Sequence, residues 1–152
     1  MTGRLFIVST PIGNLNDVTH RAIDTLMNVD FVLAEDTRHS KKLFNHYEIT
    51  TSIRAFHEHN EREKTDSIIA EINNGKQVAL ISDAGTPLIS DPGFILVSTA
   101  KKAGINIVPI PGPSAIITAL SASGLASNSF SFFGFLPSKK IARIKYLQNK
   151  TA

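Results

Sequence analysis

Three stretches of the chain concentrate side chains that can hold or activate a ligand. AEDTRHS at 34–40 sets Glu35, Asp36, Arg38 and His39 directly after the apolar run FVLA. AFHEHNERE at 55–63 brings His57, Glu58, His59 and Glu61 to the end of SIRAF. ISDAGTPLISDPG at 81–93 carries Asp83 and Asp91 among prolines and glycines, behind the run VALI. A histidine titrates near neutrality, and burial pushes a carboxylate toward it, so these groups can hold a substrate hydroxyl and take its proton. In that reading His57 is the base and Glu35 or Asp36 orients it. Arg38, always protonated, grips a phosphate or pairs with a carboxylate. The alternative is that alignment alone suffices for the chemistry and these residues only shape a polar pocket.

The remaining polar candidates each carry two readings. Asp83 ends an apolar strand, where a carboxylate needs partners. It either caps its own turn or accepts from a ligand hydroxyl or ammonium. Asp91, before Pro92, reads as a helix N-cap with proline at the first helical position. Ser114 has no GxSxG around it and reads as an N-cap rather than a nucleophile. His57 and His59 share one side of an extended segment, a spacing metal ligands also use. With no cysteine and no HExxH pattern, no metal site is expected.

Positioning these groups takes a regular frame. Strands are expected at 5–9, 31–34, 52–56, 77–82 and 105–110, from runs rich in β-branched and other apolar residues. Helical spacing covers 17–28, with Asp17 as its cap, then 40–47, then 60–74 before Gly75, then 94–103 before Gly104. Such alternation predicts an α/β fold, a mostly parallel five-stranded sheet with helices on both faces. The segments STPIGNL (9–15), SDAGTPLISDPG (82–93) and PGPSA (111–115) then fall beyond the carboxyl ends of strands, where open α/β sheets bind ligands. Neither GxxxxGK[ST] nor GxGxxG is present, which removes the best support for ATP or a dinucleotide. PIPGPSA breaks the pattern, and a domain boundary is placed near Gly112. Residues 1–112 would form an N-terminal α/β domain and 113–152 the start of a second, with a helix at 115–124 and a strand at 129–135. About forty residues are too few for a core of their own, so this part is expected to be truncated or to depend on a partner.

Composition narrows the class further. Of the 152 residues, 42% are hydrophobic and none is cysteine, which excludes a disulfide framework and fits a reducing, cytoplasmic location. No run approaches the ~20 apolar residues of a membrane span, and the start is too short in apolar residues for a signal peptide. Residues 1–136 hold 11 Lys/Arg against 13 Asp/Glu. Residues 137–152 hold Lys139, Lys140, Arg143, Lys145 and Lys150 and no acid. A basic end on a mildly acidic body suits a polyanion, or is simply solvated.

In this order, VSTPIGNL, AEDTRHS, AFHEHNE, ISDAGTPLISDPG, PIPGPSAIITALSASGL and FFGFLP resemble the ribosomal RNA small subunit methyltransferase I family of the tetrapyrrole methylase superfamily. The resemblance implies two α/β domains with S-adenosylmethionine in the cleft between them, a homodimer, and a chain nearly twice this length. It implies methylation of the ribose 2′-hydroxyl of a cytidine in 16S rRNA, in the decoding centre of the small ribosomal subunit. By position it places Pro11, Asp83, Gly85, Thr86, Ile89, Ser114 and Ala115 around the cofactor. It carries over no catalytic base. Superfamily members with small-molecule substrates usually show Gly-Asp-Pro where this chain has Ser82-Asp83-Ala84. The rivals are methylation of a small porphyrinoid macrocycle on the same fold and a nucleotide-binding module without catalysis. Amides near the helix starts at 93 and 113 can take the cofactor carboxylate, and Ile89 and Ile116 can flank its purine. Transfer of methyl to oxygen neutralises the sulfonium, so alignment matters more than an oxyanion hole.

Overall fold

A computed structural model describes residues 2–149, and the last basic residue of the expected tail, Lys150, lies outside them. Five strands form one parallel sheet: β1 (Arg4–Val8), β2 (Phe31–Ala34), β3 (Ile53–Ala55), β4 (Gln77–Ile81) and β5 (Asn106–Ile110). Their order across the sheet is β3-β2-β4-β1-β5. The helices are α1 (His20–Asn28), α2 (Thr37–His46), α3 (Glu58–Asn73), α4 (Phe94–Lys102), α5 (Ala115–Ala122) and α6 (Lys140–Gln148). The expected α/β architecture is present, and the sheet is parallel throughout.

Alternation along each strand divides the core into two layers. Leu5, Phe31, Leu33, Val78 and Leu80 meet Ile68, Ile69 and Ile72 of α3 and Leu96 and Ala100 of α4. Val8, Val32, Ala34, Ala79 and Ile81 meet Ala22 and Leu26 of α1 and Leu43 and Phe44 of α2. Strands buried on both sides read as continuous apolar runs, which is why FVLA and VALI carry no polar alternation. β4 lies between β1 and β2, and β5 lies on the far side of β1. The helices after β1 and β2 pack on one face of the sheet and those after β3 and β4 on the other, so the winding reverses and the carboxyl edge near β1 and β4 becomes the place for a ligand.

The helix starts differ from expectation. Thr19, not Asp17, caps α1: its Oγ1 accepts from the Ala22 amide at 3.1 Å, while Asp17 belongs to a preceding 3-10 turn at Leu15–Asp17. α2 begins three residues early because Asp36 caps it. Asp91 does not cap α4, whose N-cap is Gly93. Gly93 has φ of 125°, and a Cβ there would sit 2.6 Å from Leu80 Cδ2, so the turn both requires left-handed backbone and leaves no room for a side chain. Ser114 is the N-cap of α5 by position, yet its side chain makes no cap hydrogen bond.

Beyond Gly112 the chain leaves the sheet. The expected strand at 129–135 is not formed: no described strand runs beside it to complete a ladder, and Phe130 and Phe135 stay 52% and 87% exposed. Neither α5 nor α6 contributes a buried residue, and the basic sequence of α6 does not by itself announce a helix.

Candidate functional site

The loops after β1, β4 and β5 are held together by a few hydrogen bonds. Thr10 and Gly85 exchange both backbone bonds, Thr10 N to Gly85 O at 2.9 Å and Gly85 N to Thr10 O at 3.0 Å. Thr86 Oγ1 lies 2.9 Å from Ser9 Oγ and donates to Pro113 O at 3.4 Å. Thr10 Oγ1 donates to Ser82 O at 3.1 Å. The carboxyl edge of the sheet is therefore a stapled rim.

Two cavities open on this rim. One of about 290 Å³ is walled by Gly85, Thr86, Ile89, Asp91, Ser114 and Ala115, with Ile116, Phe132 and Phe135 adding apolar surface. A neighbour of about 340 Å³ lies between the β1 loop and α2, walled by Pro11, Leu15, His39, Lys42, Leu43 and Asp83. Ile12 and Ala84 line both. The first is mainly apolar with one carboxylate. Backbone holds its central loop in a constrained shape, since Leu88 and Ser90 take φ of 73° and 66° on either side of Ile89. Ile89 is left 49% exposed.

Carboxylates gather behind the rim. Asp83 Oδ1 accepts from the Asp36 amide at 3.1 Å, which ties β4 to β2. Burial pushes the Glu35 carboxyl up, and the charges of Asp83 and Asp91 add to this while His57 opposes it. Burial likewise pushes Asp91 up, offset by a hydrogen bond from Ser82 and reinforced by Asp83. Asp36 goes the other way: the amides of Arg38 and His39, at 2.8 and 3.3 Å from Oδ1, hold it below the usual carboxylate range. Arg38 reaches Asp36 Oδ2 at 3.5 Å with its side chain 90% exposed.

His57 sits at the start of α3 in a fixed orientation. Its amide donates to Asn60 Oδ1 at 2.9 Å, which fixes the Asn60 amide group so that Nδ2 faces the ring. Asn60 Nδ2 lies 3.0 Å from His57 Nε2 and 3.3 Å from Ala55 O. The ring lone pair on Nε2 is thus taken, and the neutral imidazole carries its proton on Nδ1, which is buried with no partner. The His59 ring stands 6.0 Å away, centroid to centroid.

The family model described as Tetrapyrrole (Corrin/Porphyrin) Methylases matches residues 4–143. The chain belongs to the tetrapyrrole methylase family. Among the curated tetrapyrrole methylase relatives, "Ribosomal RNA small subunit methyltransferase I" of Vibrio cholerae is 57% identical over 91% of this chain and 48% of its own. The protein of the same name from Haemophilus influenzae is 56% identical over 98% of this chain and 53% of its own. The chain spans about half the length of these relatives. A solved uroporphyrin-III-C-methyltransferase from Thermus thermophilus matches with a TM-score of 0.63 at 24% identity, over 83% of this chain and 55% of that one, a likeness of fold.

Within this tetrapyrrole methylase chain the residues expected around a cofactor divide between the two cavities. Gly85, Thr86, Ile89, Ser114 and Ala115 line the first, Pro11 and Asp83 the second. Glu35, Asp36, Arg38 and His57 line neither. The amide at Gly93, expected to be open to a ligand carboxylate, is taken. Glu61 Oε1 accepts from Gly93, Ile95 and Leu96 at 3.1, 2.8 and 3.2 Å. The Gly85 amide is spent on Thr10. Asp91, freed from the capping role, lines the first cavity instead. Sequence reasoning missed Phe132 and Phe135, whose signal, an aromatic cluster at 130–135, pointed to a strand.

Proposed function

We propose that the full-length protein transfers a methyl group from S-adenosylmethionine to the ribose 2′-hydroxyl of a cytidine in 16S rRNA of the small ribosomal subunit, acting in the cytoplasm as a homodimer. The observation that carries this reading is the first cavity. Its chemistry suits the cofactor: apolar surface from Ile89, Ile116 and the two phenylalanines for a flat purine, hydroxyls of Thr86 and Ser114, and one carboxylate, Asp91. Burial and a like charge at Asp83 raise the proton affinity of Asp91, so a cation beside it would be welcome. The cofactor supplies a methyl on a cationic sulfonium. The names of the relatives and the basic end of the chain favour ribosomal RNA as the acceptor.

The chain's own groups then divide the work. Thr86, Ile89, Ser114 and Ala115 bind and orient. Glu35 stands outside both cavity walls, but it has the raised proton affinity a base needs and is assigned the proton of the acceptor hydroxyl. Residue type alone favours His57 as the base, but its lone pair is engaged by Asn60. Asp36 holds α2 in place, and Arg38 reaches into solvent for a phosphate.

The test gives the full-length protein labelled S-adenosylmethionine and small ribosomal subunits from a strain lacking the enzyme. Nucleoside mass spectrometry should find 2′-O-methylcytidine. Label appearing in a porphyrinoid, and none in rRNA, would establish the macrocycle reading instead.

A further inference from the structure

We propose that the outer face of α2, with the groove between α2 and β3, holds the sugar-phosphate backbone of single-stranded rRNA beside the acceptor without reading its bases. This rests on the methyltransferase reading above and adds the surface from which the RNA approaches. Its first support is charge. The helix TRHSKKLFNH turns Ser40, Leu43 and Phe44 inward, leaves Arg38, Lys41 and Lys42 exposed, and contains no acid. Lys41 and Lys42 form none of the ion pairs found among the described residues, and Arg38 makes one long contact of 3.5 Å. This arrangement works against the helix itself. Arg38 sits in the first turn, at the positive end of the dipole, three and four residues from two like charges. A polyanion laid along the face offsets both costs. On the opposite face of the sheet α3 has five acidic residues and two basic ones, so RNA is steered to the side of α1 and α2.

The second support is the groove beside these cations. It measures about 480 Å³ and is edged by Thr37, Lys41, Asn45 and Ser52, over Phe44, Ile49 and Ile53. Thr51, its other hydroxyl, is engaged with Met27 O at 3.4 Å. One ammonium, one amide and two hydroxyls remain, the donors that grip phosphate and ribose oxygens. Phe44, the aromatic ring of the groove, is 2% exposed and offers a base nothing to stack on, so the contact is to backbone alone. Placement is the third support. α2 follows directly on β2, and its capping residue Asp36 donates its amide to Asp83 of the β4 loop at 3.1 Å. RNA held along α2 is thereby fixed relative to the rim that carries the cofactor loops.

The test compares two pairs of charge removals in the full-length protein. One joins Arg38→Gln to Lys41→Gln on α2; the other joins Lys101→Gln to Lys102→Gln at the end of α4, on the other face. Binding to small ribosomal subunits from a strain lacking the enzyme is measured across a salt series, and S-adenosylmethionine affinity by calorimetry. The α2 pair should weaken subunit binding ~tenfold and flatten its logarithmic salt dependence by ~1.4, two single-strand contacts at ~0.7 each. The α4 pair should keep the native affinity and slope, and cofactor affinity should hold in both. Asn45→Asp, which keeps the shape of the groove and adds a repelling charge, should weaken subunit binding several-fold. Native affinity and slope in a folded α2 pair overturn the proposal, and so does an equal loss in the α4 pair, which marks a response to net charge. Native affinity in Asn45→Asp overturns the part given to the groove. A loss on subunits that is absent on protein-free 16S rRNA overturns the proposal in favour of a ribosomal protein as partner. These outcomes fail this proposal alone, whereas native protein that methylates no rRNA fails the methyltransferase reading.

Discussion

Glu61 Oε1 lies 2.8 Å from the amide of Ile95, thirty-four residues later, so the carboxylate that caps α4 is supplied by α3. The same oxygen takes the amides of Gly93 and Leu96. An anion at a helix N-terminus meets both the unpaired amides and the positive end of the dipole. Glu61 is only 5% exposed, so no water replaces it readily. Glu61→Ala should lower the unfolding free energy by about 3 kcal/mol, the cost of buried amides left without partners. Glu61→Gln keeps a neutral acceptor and should lose less. A urea midpoint unchanged in Glu61→Ala would show that the cap contributes nothing.

Cofactor affinity should depend on Asp91 and on pH. The raised proton affinity of Asp91 means that acid neutralises it above the ordinary carboxylate range. A sulfonium or ammonium near it binds best to the charged form. Calorimetry across a pH series should find S-adenosylmethionine affinity falling as pH drops through that titration. Asp91→Asn should bind more weakly at neutral pH and lose the acid-side dependence. A parallel decline in the variant would place the titrating group elsewhere.

The chemical step should follow Glu35. A base works deprotonated, so single-turnover methylation should rise with pH through the elevated Glu35 titration and then level off. Glu35→Gln should slow it ~10²–10⁴-fold with cofactor affinity intact. Stability should move the opposite way. The folded pKa of Glu35 lies above its unfolded value, so between the two the native state holds the proton more tightly. Stability from this group is present below the unfolded pKa and is lost as pH rises through the folded one. Glu35→Gln should therefore melt higher than the native protein at neutral pH, with the gain shrinking in acid. A rate within a few-fold of native would leave alignment as the whole of the catalysis.

Charge at the end of the described chain should govern RNA binding. Replacing Lys139, Lys140, Arg143 and Lys145 with glutamine should weaken binding to small subunits. Every phosphate that the variant no longer neutralises should flatten the logarithmic salt dependence by ~0.7–0.9. An unaltered slope would assign these residues to solvent.

Much of this architecture is written in local pattern. The strands follow from FVLA, VALI and their counterparts, because burial on both faces demands uninterrupted apolar residues. The helix stops at Gly75 and Gly104 follow from φ values of 97° and 71° that few other residues adopt. What escaped was decided at a distance. Asp91-Pro92 has the local signature of a cap, but Glu61 reaches the α4 amides first and releases Asp91 to a cavity wall. The phenylalanines at 130–135 have strand propensity, yet a strand exists only beside another. Pro11 and Asp83 stand near Gly85 in every reading of the loops. Only the Thr10–Gly85 pairing, which draws a wall through Ile12 and Ala84, divides them between two chambers.

That pairing also decides which part of the rim can move. With both backbone groups of Thr10 and Gly85 committed to each other, the first two loops form one rigid jaw. The third meets it through one hydrogen bond of 3.4 Å, from Thr86 to Pro113, and through Gly112, where a Cβ would sit 2.9 Å from Ser9 Cβ. A ligand entering the first cavity therefore meets one wall, Gly85 and Thr86, fixed by paired backbone, and another, Ser114 and Ala115, that leans on it through a close glycine contact and one long hydrogen bond.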